Sequence, residues 1–177
     1  MTNALPEEHA MSEELEELYR ELRDLQARRD IHAAVCRYMR VQDRLLPELQ
    51  LSAFHEDAQV DCGLFAGSPA EYVAFAQGFL AEIESSHHLI GQVDIEVDGR
   101  QATGEIYFIA HHRLLEDGQE KDLFVAGRYQ DCYEDRGDGW KISARREVVD
   151  WARTDAAADA FLADNAALIR GRREEAG

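Results

Sequence analysis

Positive charge is scarce in this 177-residue chain. Lys and Arg number 19 against 36 Asp and Glu, a formal net charge of −17. A nucleic acid or an anionic membrane surface needs a basic face, so both are poor candidate partners. Long apolar runs are missing too: no stretch approaches the ~18 residues of a membrane span. The first residues, Met1 to Glu8, carry neither the basic region nor the apolar core of a secretory signal. Cysteine is limited to Cys36, Cys62 and Cys132, an odd number set far apart, which reads as reduced thiols in a cytoplasmic protein. There is no phosphate-binding Gly-rich loop, no Cys-x-x-Cys and no Gly-x-Ser-x-Gly, so phosphate cradling, zinc ribbons and serine hydrolysis lack support. What is present is 45% hydrophobic residues and a length suited to one domain, enough for a sizeable core. An uncharged or cationic small molecule fits this balance better than a polyanion.

The pattern along the chain is helices first, strands second. Glu13–Gln42 contains no Gly or Pro, and Leu15, Leu18, Leu22 and Leu25 recur at spacings of three and four. Ile31, Ala34, Val35, Tyr38 and Val41 continue the stripe of one helix. The leucines suggest an arm that packs on a neighbouring subunit. Pro47 opens a shorter helix expected to run through Phe54, and residues 57–62 read as a short strand. Phe65 lies in a loop between Gly63 and Gly67. Ser68-Pro69-Ala70-Glu71 matches a capping box with Pro in the first turn. The helix it opens should reach about Ser85 and bury Tyr72, Phe75, Phe79 and Ile83. From His88 the period becomes two. Strands are expected over 88–97, 102–115, 123–133 and 140–151, separated by Asp98-Gly99, Asp117-Gly118 and Gly137-Asp138-Gly139. A closing helix over 156–170 completes an α+β order, helices against one face of a curved antiparallel sheet.

Two His-His pairs carry the chemistry. Neighbours on a strand point to opposite faces, so only one of each pair can enter a pocket. In the second pair, His112 shares a face with Gly104, Ile106, Phe108 and Ala110, and the alternation turns that face inward. In the first pair, Val93, Ile95 and Val97 fall with His87, unless a bulge near Gly91 brings His88 inward. Asp43 ends the helical stripe, about 140° around the helix from Tyr38. They flank one opening only if the helix ends near Asp43. Arg145-Arg146 splits in the same way, one inside and one in solvent.

Several stretches resemble the SnoaL-like superfamily with the nuclear-transport-factor-2-like fold. These are Arg37-Tyr38-Met39-Arg40-Val41-Gln42-Asp43, Leu51-Ser52-Ala53-Phe54-His55-Glu56-Asp57-Ala58, Ser86-His87-His88-Leu89-Ile90-Gly91-Gln92, Gly127-Arg128-Tyr129-Gln130-Asp131, and Asp138-Gly139-Trp140-Lys141-Ile142 followed by Arg145. The resemblance covers roughly residues 28–152. It implies a cone-shaped α+β barrel whose strongly bent sheet wraps around helices and leaves a deep apolar pocket. The organisation is then a helical extension over 1–27, one SnoaL-like domain over 28–170 and a polar tail over 171–177.

Within that superfamily the chain is most similar to the branch of scytalone dehydratase, bile-acid 7α-dehydratase and hexachlorocyclohexane dehydrochlorinase. The branch's Asp–His dyad falls on Asp43 and His88, and its last-strand arginine on Arg145. The dehydrochlorinase's lysine position is Tyr38 here, which disfavours dehalogenation and suits loss of an oxygen leaving group. His112 matches a second pocket histidine, while Tyr129 replaces a pocket asparagine.

These correspondences imply a cofactor-independent lyase, a dehydratase acting on a hydrophobic carbonyl compound such as a steroid or polyketide. His88 would be the base, an imidazole's ordinary pKa lying near working pH. Asp43 would orient the ring, Tyr38 and His112 would donate hydrogen bonds, and Arg145 would orient the dyad or pair with acidic groups. Phe54, Phe65, Phe108 and Tyr129 are the expected substrate contacts. No metal or organic cofactor is expected. Isomerisation or polyketide cyclisation would use the same site. The same fold could also bind a small molecule without turnover, or hold a metal between Asp43, His88 and His112. Tyr107, Ile109 and Val125, expected on the outer sheet face, point to a homo-oligomer, a trimer ahead of a dimer.

Overall fold

The computed structural model describes residues 6–158, 161 and 164–169. The element order is α1 (Pro6–Asp43), α2 (Pro47–Leu51), β1 (Phe54–Asp61), β2 (Ala66–Gly67), α3 (Pro69–Ala81), β3 (Ser85–Asp98), β4 (Gln101–Glu116), β5 (Gln119–Asp135) and β6 (Trp140–Ala156). The strands form one six-stranded sheet in the order β2-β1-β6-β5-β4-β3. Neighbouring strands are antiparallel except β1 and β6, which run parallel. Helices lie against the concave side of this bent sheet, giving the cone of the nuclear-transport-factor-2-like fold.

Helix α1 is one uninterrupted rod, and its environment changes along it. The leucines at 15, 18, 22 and 25 are exposed, whereas Ala27, Ile31, Val35, Tyr38, Met39 and Val41 are buried. The second half therefore forms the core's helical side, against Phe54, Ile106, Phe108, Tyr129 and Ile142 from the sheet. The capping box at Ser68 forms as the sequence predicts, with Glu71 N–H donating to Ser68 Oγ and Ser68 N–H donating to the Glu71 carboxylate at 3.1 Å.

Four expectations need correction. The helix from Pro47 stops at Leu51, and Phe54 opens β1. Helix α3 buries Tyr72, Val73, Gln77 and Leu80, leaving Phe75 41% and Phe79 47% exposed. Val125 sits opposite Ala110 and packs on the core, so it leaves the outer face. Ala156, expected to begin the closing helix, still belongs to β6. Of that helix, residues 159, 160, 162, 163 and 170 lie outside the described residues, as does the polar tail over 171–177.

Four register shifts interrupt the described strand pairs, and two of them bear on the interior. The β3–β4 register shifts between Ile90 and Val93, so Gly91 and Gln92 form a bulge. The β5–β6 register shifts at Ala126/Gly127, where the backbones come so close that a Cβ on Gly127 would collide with the Val148 carbonyl. Only glycine fits there.

Candidate active site

The bulge in β3 decides which histidine of the first pair turns inward. His88 and Ile90 lie on the concave face before it, and Val93, Ile95 and Val97 after it, while His87 is exposed. On β4 no such break occurs, and Ile106, Phe108, Ala110 and His112 are all buried on one face. His111, on the other face, pairs with Asp122 at 2.7 Å.

Helix α1 ends at Asp43, which brings its carboxylate to the start of β3. Asp43 Oδ1 lies 2.7 Å from His88 Nδ1, with the two side chains 13% and 6% exposed. The backbone N–H of His88 also donates to the carboxylate, at 3.1 and 3.2 Å. Ser86 Oγ donates to Asp43 Oδ1 at 3.4 Å and lies 3.1 Å from His112 Nδ1. A carboxylate accepting at Nδ1 assigns the proton to that nitrogen and leaves Nε2 as the ring's free base. The His112 ring stands edge-on to His88 at 5.3 Å and to Phe79 at 5.8 Å.

Tyr38 lies deeper. Its hydroxyl is 3.0 Å from that of Tyr72 and accepts from Gln50 Nε2 at 3.2 Å, and Gln50 in turn accepts from Gln77 at 2.6 Å. Burial pushes the Tyr38 phenol up, with Arg145 and the two hydrogen bonds opposing. Arg145 faces inward and Arg146 is exposed. The Arg145 guanidinium sits between the Tyr38 and Tyr129 rings, 4.2 and 4.0 Å from their centres. It makes a two-pronged pair with Asp131 at 2.8 and 2.6 Å, both side chains essentially dry. Burial opposes its charge, but Asp131 and the flanking phenols overcome this and push its pKa up. The arginine thus pairs with an acidic group of its own core, and its Nη1 has no hydrogen-bond partner among the described residues.

Phe108 and Tyr129 stack at 4.6 Å, and Phe54 meets Tyr38 and Tyr72 edge-on at 5.9 and 6.1 Å. These rings pack on one another beneath the dyad. The cavity beside Tyr38, Tyr133, Trp140 and Arg145 holds about 10 Å³, room for one water. Phe65 stacks on the half-exposed Phe75 at 5.5 Å, nearer the surface. Among the described residues, no three His, Cys, Asp or Glu side chains converge to hold a metal ion, and no helix is long and apolar enough to cross a membrane.

Sequence reasoning passed over Gln50, Gln77, Ser86, Asp131 and Glu147 in this interior. The last two were within reach of the parity rule. Asp131 is two residues from Tyr129, and Glu147 two from Arg145, so each shares its neighbour's inward face.

No curated protein matches the chain. Solved structures do, at low identity. A hexachlorocyclohexane dehydrochlorinase, LinA type 2, is 20% identical with a TM-score of 0.70, covering 78% of this chain and 95% of its own. A candidate scytalone dehydratase from Novosphingobium aromaticivorans is 21% identical with a TM-score of 0.64, covering 71% and 85%. The Kfla4162 protein from Kribbella flavida is 19% identical with a TM-score of 0.66, covering 72% and 93%. At such identity these likenesses speak for the fold alone. The SnoaL-like domain family matches residues 23–146, a span that holds Asp43, His88, His112 and Arg145, and the chain belongs to that family.

Proposed function

We propose that this protein is a cofactor-independent lyase that removes water from a hydrophobic β-hydroxy carbonyl compound of steroid or polyketide type, in the cytoplasm and as a homotrimer. The observation that carries the reading is the 2.7 Å contact between Asp43 and His88, shielded at the junction of α1 and β3. His88 Nε2 takes the proton next to the carbonyl. Asp43 holds the ring in the required tautomer and stabilises the imidazolium that forms. His112 and Tyr38 donate hydrogen bonds to the carbonyl oxygen as it gains charge. Arg145 fixes the ring of Tyr38 and, with Asp131, the depth of the site. The candidate scytalone dehydratase and the dehydrochlorinase among the solved structures share this fold, so elimination chemistry has a precedent on it.

The test is turnover of a steroid or polyketide β-hydroxy ketone, followed by mass for loss of one water. Asp43→Asn and His88→Ala should each lower the rate by roughly 10²–10⁴-fold, the usual worth of a positioned base, with unchanged circular dichroism. Turnover retained by either variant rejects the mechanism. A product of unchanged mass would assign the site to isomerisation or cyclisation instead. A second reading, binding without turnover, is favoured by the ring packing beneath the dyad, where Phe54, Phe108 and Tyr129 are all buried against their own core. Calorimetric binding of the ketone with no product would select it.

A further inference from the structure

The register of β5 and β6 places a second carboxyl group in the interior. Asp131 lies opposite Arg145, and Tyr129 lies opposite Glu147. Directly paired residues of an antiparallel ladder share a face, and Asp131, Arg145 and Tyr129 are all buried. Glu147 therefore points inward beside the phenol of Tyr129. Its carboxyl makes no hydrogen bond among the described residues. Burial raises its pKa above the ordinary glutamate value, with Arg145 and His88 pulling the other way and Asp131 adding to the rise. Arg145 is already committed to Asp131, so its charge is largely spent. The other titratable groups in its field are the phenols of Tyr38, Tyr72 and Tyr129 and the thiol of Cys62, each pushed up by burial and so neutral.

Dehydration needs a proton for the departing oxygen, because hydroxide is a poor leaving group. The Tyr38 hydroxyl is tied to Tyr72 and Gln50 and is a weaker acid than a free phenol. His112 Nδ1 sits against Ser86. We propose that Glu147 is the general acid of this site, giving its proton to the hydroxyl that leaves a β-hydroxy carbonyl substrate; the inference rests on the lyase reading above. The Cα–H bond breaks, its proton passes to His88 Nε2 and its electron pair forms the C=C bond. The Cβ–O bond breaks with its pair on oxygen, which takes the Glu147 proton and departs as water. The imidazolium proton then returns through water to the Glu147 carboxylate, so substrate becomes alkene plus water with both groups restored. The two transfers are electrostatically linked. When His88 gains charge, its field favours the Glu147 carboxylate, making Glu147 a stronger acid at the moment the oxygen leaves.

The experiment compares full-length wild type, Glu147→Gln and His88→Ala on two ketones of one skeleton. One carries a β-hydroxyl. The other carries a β-chloride, which departs without a proton. Glu147→Gln should slow the hydroxy ketone roughly 10²–10⁴-fold and leave the chloro ketone near the wild-type rate, while His88→Ala loses both. In wild type, kcat/KM for the hydroxy ketone should fall on the alkaline side as Glu147 ionises, and the chloro ketone should show no such fall. Equal loss on both ketones, or none on either, overturns the role of Glu147 while the dyad stands. Wild-type protein that turns over neither ketone overturns the lyase reading and the acid with it. A carboxyl ¹³C titration, assigned by Glu147→Gln, gives an activity-free check: a Glu147 carboxyl titrating at or below the ordinary glutamate value overturns the proposal.

Discussion

Asp43 occupies the last residue of α1, where the helix dipole presents its negative end and an anion is disfavoured. Three donors offset this: the ring and backbone N–H of His88 and the hydroxyl of Ser86. Glu147 is the opposite case, a carboxyl with none among the described residues. Its raised pKa has a sign that stability measurements can read. Between the ordinary glutamate value and the raised folded one, the folded protein keeps a proton that the unfolded chain has lost. Its contribution to stability therefore declines as pH rises through that window and stays low above it. Glu147→Gln has no such proton. Its urea midpoint should exceed that of wild type at neutral pH, and the gap should close below the ordinary carboxyl range. A gap independent of pH would show that packing, not ionisation, separates the two. At this scale the alternation of β4 made His112 legible in the sequence. His88 was legible only through the resemblance, since its parity depends on whether residues 91–92 bulge.

The elements were readable wherever composition and periodicity agreed. Helix α1, the capping box of α3 and four long strands follow from stripes, turns and alternation. Helix α3 misled because its buried face runs Val73, Gln77, Leu80, with a polar residue at its centre. Gln77 is accommodated by its bond to Gln50, a partner far along the chain that local pattern cannot reveal. Phe75 and Phe79 lie on the opposite side of the helix and made an apolar stripe look complete. The Asp131–Arg145 pair ties β5 to β6 across the cone's interior. Asp131→Asn would leave a guanidinium buried without its counter-charge, and such breaks cost about 3–5 kcal/mol. Chemical denaturation should register a loss of that size. A loss under ~1 kcal/mol, the scale of an exposed pair, would mean that water reaches the arginine.

Across the whole molecule, the convex face of the sheet carries Leu89, Tyr107, Ile109 and Trp151 exposed. In the proposed trimer this patch, on a chain of net charge −17, would be the surface that the neighbouring copies cover. Light scattering should give about three times 20.1 kDa for wild type. Ile109→Glu with Trp151→Glu should return the mass of one chain, and an unchanged mass would move the contact elsewhere. The exposed leucines of α1 raise a separate matter. The helix that displays them is the same unbroken rod that ends in Asp43. A carboxylate rides about 6 Å from such a rod's axis, so a roll of about 10° shifts it by about 1 Å. A misplacement of that order can cost about a hundredfold in rate. Whatever grips the far end of the axle would thereby set the aim of the near one, and in the proposed trimer a neighbouring subunit would act on the His88 ring without ever touching it.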